Sequence, residues 1–215
     1  MSTGSIAGVI LAGGRSRRMG GRDKSLETLA GVPLIAHVIE RVRQQVDSLV
    51  LSVEQPAEQL KVFGLPQVVD PVPGHHGPLG GLLSALRHFS DRYPWVLLVP
   101  CDAPFLPGDL GSKLLAGALD SALPGAIAVY RGELQPTFSI WHRSLLPQIE
   151  RAVGAEGLGG FKQLLRELRV AECAWRADDR SVTPPPFFNV NDHATLQEAG
   201  LWLRRVAEEP LPCSA

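Results

Sequence analysis

Residues 6–24 read IAGVILAGGRSRRMGGRDK and join a short apolar run to a loop rich in glycine and arginine. Ile6 to Leu11 is predicted to form a buried β-strand, because a short aliphatic run is typical of the centre of a parallel sheet. The paired glycines Gly13 and Gly14 then allow the backbone to approach another group closely. The loop that follows carries five cations, namely Arg15, Arg17, Arg18, Arg22 and Lys24. Glycine N–H groups and cationic side chains together favour the binding of a polyphosphate.

A solvated basic turn is the alternative interpretation of this loop, since a run of cations often only faces water. The position of the loop favours a ligand site, because ligands of open α/β sheets lie outside the carboxyl ends of the strands. Spacing excludes two familiar phosphate loops. A P-loop requires its second glycine directly before Lys-Ser or Lys-Thr, whereas here Lys24-Ser25 follows Arg22-Asp23. A dinucleotide fingerprint requires Gly-x-Gly-x-x-Gly, which this loop lacks.

Length, charge and cysteine content limit the possible functions. A chain of 215 residues is the size of one domain and is long enough to bury a substantial core. Its formal net charge of -1 argues against a general binder of nucleic acid or of anionic membranes, which usually carries a surplus of cations. The three cysteines are odd in number and far apart, which favours neither a disulfide framework nor a zinc site. With no apolar run of membrane-spanning length, the sequence predicts a cytoplasmic protein.

Strand-like and helix-like segments alternate, and this order predicts a sheet covered by helices on both faces. Apolar residues recur at helical spacing from Leu34 to Val46, and this pattern predicts a first helix after Pro33. A second helix is predicted to begin at the motif Gly77-Pro78-Leu79-Gly80-Gly81. After the first strand, the aliphatic runs predict further strands at Ser48–Val53, Gln67–Val69 and Trp95–Val99.

The second half of the chain is less regular. Ala126–Tyr130 and Pro136–Trp141 are predicted to form strands that pair antiparallel through a turn at Arg131-Gly132-Glu133. Two helices, Leu145–Val153 and Phe161–Leu168, and two strands, Val170–Trp175 and Phe187–Val190, are predicted next, before a final helix that carries Leu196, Ala199, Leu203 and Val206.

Two further segments of this half can be interpreted from their composition. The glycine-rich loop from Gly154 to Gly160 separates two predicted helices and is either a lid that closes over substrate or a plain linker. Asn191 or Asp192 is predicted to cap the final helix, because Asn and Asp are preferred at that position.

Two aspartates at predicted strand ends are candidate ligands. Asp102 lies in Pro100-Cys101-Asp102-Ala103-Pro104, directly after an apolar strand, and should emerge at the same sheet edge as the glycine-rich loop. Because Mg²⁺ usually takes one or two protein carboxylates together with substrate phosphates, Asp102 is a candidate metal ligand, with a turn-forming cap as the alternative. Asp70 either contacts a nucleotide or starts a turn before Pro71.

Several motifs occur in a fixed order along the chain. They are Leu11-Ala12-Gly13-Gly14 with Arg18-Met19-Gly20-Gly21 and Lys24, then Gly77-Pro78-Leu79-Gly80-Gly81, Pro100-Cys101-Asp102-Ala103-Pro104, Gln135-Pro136-Thr137 and Phe188-Asn189-Val190-Asn191. Together they resemble the molybdenum cofactor guanylyltransferase family, and the resemblance extends from Ile6 to about Arg205. The first motif alone marks only the wider nucleotidyltransferase superfamily, whereas the ordered set is much more selective.

The resemblance implies an α/β fold of the nucleotidyltransferase type. This is a single Rossmann-like three-layer α/β/α domain over residues 1–215, with a mostly parallel sheet and at least one antiparallel strand. The implied enzyme uses GTP and Mg²⁺ to convert molybdopterin-bound molybdenum into its guanine dinucleotide, with release of pyrophosphate. Residues 6–125 would bind GTP, and residues 126–206 would contribute the molybdopterin side. Implied protein partners are molybdenum-insertion proteins and molybdoenzyme apoproteins, in transient contact, with no nucleic acid and no membrane.

Matching motifs carry the family's site residues onto this chain. The implied nucleotide-binding residues are Leu11, Ala12, Gly13, Gly14, Lys24, Ser52, Asp70 and Asp102. Among them, Lys24 would hold the phosphates and Asp102 would also hold Mg²⁺. Ser52 stands where members of the family often carry an Asn, so a hydroxyl replaces the amide that contacts the nucleotide. Asn189 and Asn191 lie in the segment that the family is thought to use near the pterin, with helix capping as the alternative role.

The implied chemistry agrees with this set of residues. The attacking terminal phosphate is already anionic at neutral pH, so the protein needs to align it with the α-phosphorus and neutralise charge rather than supply a strong base. Arg18, Lys24 and Asp102 are the candidate catalytic residues. Alternative functions are a cytidylyltransferase acting on the same pterin, a sugar-phosphate nucleotidyltransferase, and a non-catalytic carrier or escort of the pterin. The presence of both Lys24 and Asp102 argues against the non-catalytic alternative.

Overall fold

The computed structural model describes residues 4–13, 24–69, 77–154, 161–176 and 184–208. The strands are β1 (Ile6–Leu11), β2 (Thr28–Leu29), β3 (Val32–Pro33), β4 (Ser48–Val53), β5 (Gln67–Val69), β6 (Trp95–Pro100), β7 (Gly125–Tyr130), β8 (Glu133–His142) and β9 (Ala171–Trp175). The helices are α1 (Leu34–Arg43), α2 (Pro78–Phe89), α3 (Leu110–Asp120), α4 (Leu146–Gly154), α5 (Phe161–Glu167) and α6 (His193–Glu208). None of these helices is long and apolar enough to cross a membrane.

Strand β1 lies inside a seven-stranded sheet with the order β5-β4-β1-β6-β8-β7-β9. Its neighbours β4 and β6 both run parallel to it, so that Leu11 lies opposite Ser52 on one side and Pro100 on the other. Strand β8 pairs antiparallel with β6 and β7, while β9 runs parallel to β7. Among the described strands of this sheet, β8 is therefore the reversed one. The predicted mostly parallel sheet and the antiparallel pair β7–β8 are confirmed.

Helices cover both faces of the sheet. Ile6 and Ile10 of β1 face a core that β1 shares with α1 and α3. Ala7 and Val9 face the opposite core, which α2, α4 and α5 complete. Because all four side chains are buried, β1 has an uninterrupted apolar sequence rather than an alternating one. The predicted three-layer α/β/α arrangement is confirmed.

The predicted strand Phe187–Val190 is wrong, because this segment forms a turn followed by irregular chain outside the sheet. The N–H of Phe188 donates a hydrogen bond to the carbonyl of Pro185, at 3.2 Å, which closes the turn. The ring of Phe187 packs edge-on against Phe138 and Trp175, with centroids 4.9 and 5.4 Å away. Phe187 therefore covers the sheet without pairing in it, whereas Phe188 and Val190 pack in a separate apolar cluster with Leu29, Leu34, Phe105 and Ala199.

Helix α3 and the hairpin β2–β3 are absent from the predicted elements. Helix α3 buries Leu110, Leu114 and Ala118, which recur every four residues, so its helical period was present in the sequence. Strands β2 and β3 contain two residues each and pair through Thr28 opposite Pro33. A strand of that length is too short to show a period.

Asp192, rather than Asn191, caps α6. Its Oδ1 accepts a hydrogen bond from the N–H of Thr195 at 2.9 Å, and Oγ1 of Thr195 accepts one from the N–H of Asp192 at 3.0 Å. The N–H of Thr195 stabilises the charged carboxylate and thereby lowers the pKa of Asp192 below its usual range. The side chain of Asn191 therefore remains available for another contact.

Replacing Asp192 tests this cap through its pH dependence. A carboxylate with a depressed pKa in the folded state stabilises the fold above its unfolded pKa and loses that effect as the pH falls through the folded value. We therefore expect Asp192→Ala to lower the melting temperature at pH 7, and the difference from wild type to narrow below about pH 4. Asp192→Asn should retain most of the stability, since Asn caps helices as well as Asp does. Circular dichroism measures both melting temperatures. If Asp192→Ala lowers the melting temperature by the same amount at pH 7 and at pH 3.5, the assignment of the cap is contradicted.

Gly81 of α2 packs directly against the ends of β1 and β4. A Cβ atom there would lie 2.6 Å from Oγ of Ser52 and would also contact Leu11 too closely. We expect Gly81→Ala to destabilise the fold by about 1–3 kcal/mol through overpacking, partly offset by the better helix propensity of alanine. Gly200→Ala in α6 is the control, because nothing lies within 4 Å of its added methyl group. Urea unfolding should separate the two, and equal stabilisation of both variants would contradict this packing.

Candidate functional site

The carboxyl ends of β1, β4 and β6 meet at one edge of the sheet. The N–H of Cys101, just after β6, donates a hydrogen bond to the carbonyl of Leu11 at 3.2 Å. The N–H of Ala12, just after β1, donates one to the carbonyl of Ser52 at 2.8 Å. The loops that leave these strands therefore begin side by side, as expected for a ligand site of an open α/β sheet.

Lys24 and Asp102 form an ion pair at this edge. Lys24 begins a short 3-10 helix, Lys24–Leu26, and its Nζ donates to Oδ2 of Asp102. Their side chains are only 14% and 17% exposed, so water screens the pair weakly. Two residues that the sequence assigned to phosphates and to a metal thus lie in direct contact.

Asn191 is the third member of this cluster. Its Oδ1 accepts a hydrogen bond from Nζ of Lys24 at 2.9 Å. The neighbouring backbone N–H of Val190 donates to the carbonyl of Asp102 at 2.9 Å, which ties the segment before α6 to the loop after β6. The fold therefore brings together three side chains from the beginning, the middle and the end of the described chain.

Two buried oxygens at this edge have no hydrogen-bond partner among the described residues: Oδ1 of Asp102 and Oδ1 of Asn189. A buried acceptor left unpaired costs about 1–3 kcal/mol, so such atoms favour a site that a ligand completes. A carboxylate oxygen is a ligand of the hard type that Mg²⁺ prefers. Within the described ranges, no group of three or more His, Cys, Asp or Glu is placed to hold a metal ion. Asp102 thus fits a metal that takes most of its ligands from substrate and water.

Gly13 occupies a position where the backbone passes close to the end of β4. A Cβ atom at Gly13 would lie 2.8 Å from the backbone nitrogen of Glu54 and 3.2 Å from the carbonyl carbon of Val53. Backbone atoms cannot rotate away as a side chain can, so only glycine fits here without a shift of the loop. The close approach predicted for this glycine is present, and the group that it approaches is the protein backbone at Val53 and Glu54.

Ser52 is largely enclosed between β4 and α2. It is 5% exposed, and its Oγ lies close to the backbone of Gly81. A longer Asn side chain at this position would need space that Gly81 and Leu11 fill here. Contact of Ser52 with a nucleotide stays a prediction.

Several predicted site residues lie outside the described residues. They are Gly14, Arg18 and Asp70. The same holds for residues 155–160, the larger part of the segment interpreted as a lid or a linker. Their proposed roles therefore stay predictions from the sequence.

A contact that sequence reasoning missed supports the loop after Asp102. The side chain of Gln45, just beyond α1, donates a hydrogen bond to the carbonyl of Pro107 at 3.0 Å and accepts one from the N–H of Gly111 at 2.9 Å. Arg41 donates to the carbonyl of Leu106 at 3.4 Å. No local pattern signals these contacts, because they join positions more than 60 residues apart.

Comparison with known families identifies the domain type. A family profile described as MobA-like NTP transferase domain matches residues 8–173. Among solved structures, molybdopterin-guanine dinucleotide biosynthesis protein A from Archaeoglobus fulgidus superposes with a TM-score of 0.74 at 21% identity, covering 93% of this chain and 99% of that one. The 4-diphosphocytidyl-2C-methyl-D-erythritol synthase from Anaerococcus prevotii gives a TM-score of 0.70 at 11% identity, with 94% and 100% covered. At these identities the likeness concerns the fold, and the predicted nucleotidyltransferase type of fold is confirmed.

Curated relatives share more of the sequence. The molybdenum cofactor guanylyltransferase of Nitrobacter hamburgensis is 34% identical over 195 residues, which cover 89% of this chain and 91% of the relative. The protein of the same name from Rhodopseudomonas palustris strain BisB5 is 36% identical, with 89% and 90% covered. Its namesake from Yersinia pestis strain Pestoides F is 42% identical over 148 residues, covering 67% and 72%. The resemblance inferred from the motifs is confirmed, and the chain belongs to the molybdenum cofactor guanylyltransferase family.

Proposed function

We propose that this chain transfers GMP from GTP to the terminal phosphate of molybdopterin-bound molybdenum cofactor, forming the guanine dinucleotide and releasing pyrophosphate. The names of its relatives support this reaction. The observation that carries the proposal is the meeting of Lys24 and Asp102 at the carboxyl edge of the sheet. A cation for phosphates beside a carboxylate with an unpaired oxygen is what a nucleoside triphosphate and its metal require.

The proposed step is a phosphoryl substitution at the α-phosphorus of GTP. An oxygen of the pterin's terminal phosphate forms a bond to this phosphorus, and the bond from the phosphorus to the β-phosphate oxygen breaks. Pyrophosphate leaves with that bonding pair. Since the attacking oxygen is already anionic at neutral pH, no proton has to be removed, and catalysis depends on alignment and charge neutralisation.

Lys24 and Asp102 supply complementary charges for this step. Lys24 stabilises the negative charge that moves onto the departing pyrophosphate, and Arg18 is proposed to assist it. Nucleotidyltransferases of this family generally use a divalent metal ion, and we propose Mg²⁺ held through Asp102. The bound ion would neutralise phosphate oxygens and hold the triphosphate in one orientation.

The remaining residues divide between the two substrates. On the nucleotide side we place Leu11, Ala12, Gly13, Gly14, Ser52 and Asp70, within residues 6–125. On the pterin side we place Asn189 and Asn191, within residues 126–206. Molybdenum-insertion proteins and molybdoenzyme apoproteins are the proposed transient partners, and the cytoplasm is the proposed compartment.

Release of pyrophosphate by the purified protein tests the reaction. The assay contains GTP, MgCl₂ and molybdopterin-bound molybdenum, and the nucleotide product is identified by mass spectrometry. We expect pyrophosphate to be released only when both GTP and the molybdopterin substrate are present. The release should be greater with GTP than with CTP in its place. Equal turnover of GTP and CTP would refute guanine selectivity, whereas binding of the pterin without any release would favour the carrier alternative.

Replacing the two charged residues tests their roles. Loss of one preorganised contact of this kind costs about 3 kcal/mol in the transition state, so Lys24→Ala should lower kcat on the order of a hundredfold. Asp102→Ala should lower it further, and added MgCl₂ should not restore it, because the proposed metal ligand is gone. Lys61→Ala and Asp120→Ala are matched controls at exposed positions and should retain activity. Near-normal turnover by Lys24→Ala or Asp102→Ala would reject the assignment.

A further inference from the structure

Asn191 touches a residue of the nucleotide side, although the family resemblance places its segment near the pterin. Its Oδ1 accepts a hydrogen bond from Nζ of Lys24 at 2.9 Å. We infer that Asn191 is a positioning residue for Lys24, which holds the ammonium group at the triphosphate site once Asp102 engages the metal ion. This inference rests on the proposed function of Lys24 and Asp102.

Lys24 needs a second acceptor because its first one is shared. Within the described part of the chain, Nζ of Lys24 has two hydrogen-bond acceptors, Oδ2 of Asp102 and Oδ1 of Asn191. A divalent cation held by Oδ1 of Asp102 would share the charge of this carboxylate with the ammonium on Oδ2 and would repel the ammonium as a like charge. The side-chain amide of Asn191 carries no net charge, so a metal ion would attract its oxygen less strongly than it attracts the carboxylate of Asp102. Asn191 would therefore keep its hydrogen bond to Lys24 when the attraction of Asp102 for the ammonium weakens.

The backbone around Asn191 is held on both sides. On one side, the N–H of Val190 donates to the carbonyl of Asp102 at 2.9 Å. On the other, the N–H of Asn191 donates to Oγ1 of Thr195 at 2.8 Å, within the cap of α6. Since Asp192 performs the capping, the Asn191 amide keeps its direction toward Lys24 without serving the helix end. A short side chain on an anchored backbone loses little conformational entropy in making such a contact.

This arrangement restricts a long, flexible side chain. A lysine ammonium has three donors and a four-carbon stem, so two fixed acceptors limit it to far fewer positions than one does. Without Asn191, the side chain of Lys24 would have to be ordered by the triphosphate itself. Loss of the Asn191 hydrogen bond should therefore lower the affinity for GTP.

A double-mutant cycle on GTP affinity tests this inference. Isothermal titration of the full chain with GTP in MgCl₂ is compared for wild type, Asn191→Ala, Lys24→Ala and the double variant. We expect Asn191→Ala to weaken GTP binding on the order of tenfold, as for a lost hydrogen bond to a charged group. In the Lys24→Ala background the same substitution should change the affinity less than twofold, because the group that Asn191 positions is absent.

Steady-state kinetics give a second readout that does not require the Lys24 variant. Asn191→Ala should raise KM for GTP, whereas the loss of a residue that contacts the pterin alone would raise KM only for the molybdopterin substrate. His193→Ala is the control at the same exposed helix end, and it should change neither value. Melting temperatures of all variants identify any general loss of structure.

The outcomes separate the inference from the proposed function. An equal loss of GTP affinity in both backgrounds, or a rise only in KM for the pterin, would overturn the positioning role while leaving guanylyl transfer intact. Unchanged GTP binding by Asn191→Ala would overturn it as well. Failure of the wild-type chain to bind GTP with MgCl₂ would overturn the proposed function, and the inference with it.

Discussion

Parallel hydrogen bonding of β1 to β4 and to β6 is the constraint on which the site depends. Because the three strands point the same way, their carboxyl ends coincide, and the loops that follow start from one edge of the sheet. The bonds from Cys101 to Leu11 and from Ala12 to Ser52 extend this pairing into the loops themselves. A change of register by one residue would turn the side chains of β6 to the opposite face and carry Asp102 with them.

The pair of Lys24 and Asp102 then concentrates opposite charges at that edge. Removing two charges from water is costly, and a pair of this kind is weak evidence for stability. One oxygen of Asp102 is also buried without a described partner, so the carboxylate has capacity for a further ligand. A buried carboxylate oxygen without a partner among the described residues is better explained by a ligand than by the needs of the fold. In the proposed reaction, a metal ion would take up the unpaired oxygen of Asp102.

The beginning of α6 closes the cluster from the other end of the chain. Oδ1 of Asp192 accepts a hydrogen bond from the N–H of Thr195 in the first turn of the helix, so the side chain of Asn191 is left to face Lys24. The hydrogen bond from the N–H of Val190 to the backbone carbonyl of Asp102 holds the segment of Asn189 and Asn191 beside the loop after β6. In the proposed reaction, the pterin side and the nucleotide side therefore meet at one ammonium group. The cap of α6 and the proposed catalytic Lys24 are thus neighbours through a short segment of backbone.

The sequence by itself determined the strands of the seven-stranded sheet and the edge from which the loops of the site begin. The bounds of β1, β4 and β5 follow from aliphatic runs, because burial on both faces demands apolar residues at successive positions. The same reasoning failed at Phe187, whose ring packs on the sheet although its segment does not pair in it. Only the tertiary structure decided that Asn191 lies against Lys24, 167 positions away. Hydrophobic periodicity records which residues avoid water, whereas a polar contact between distant segments depends on where the whole chain has packed.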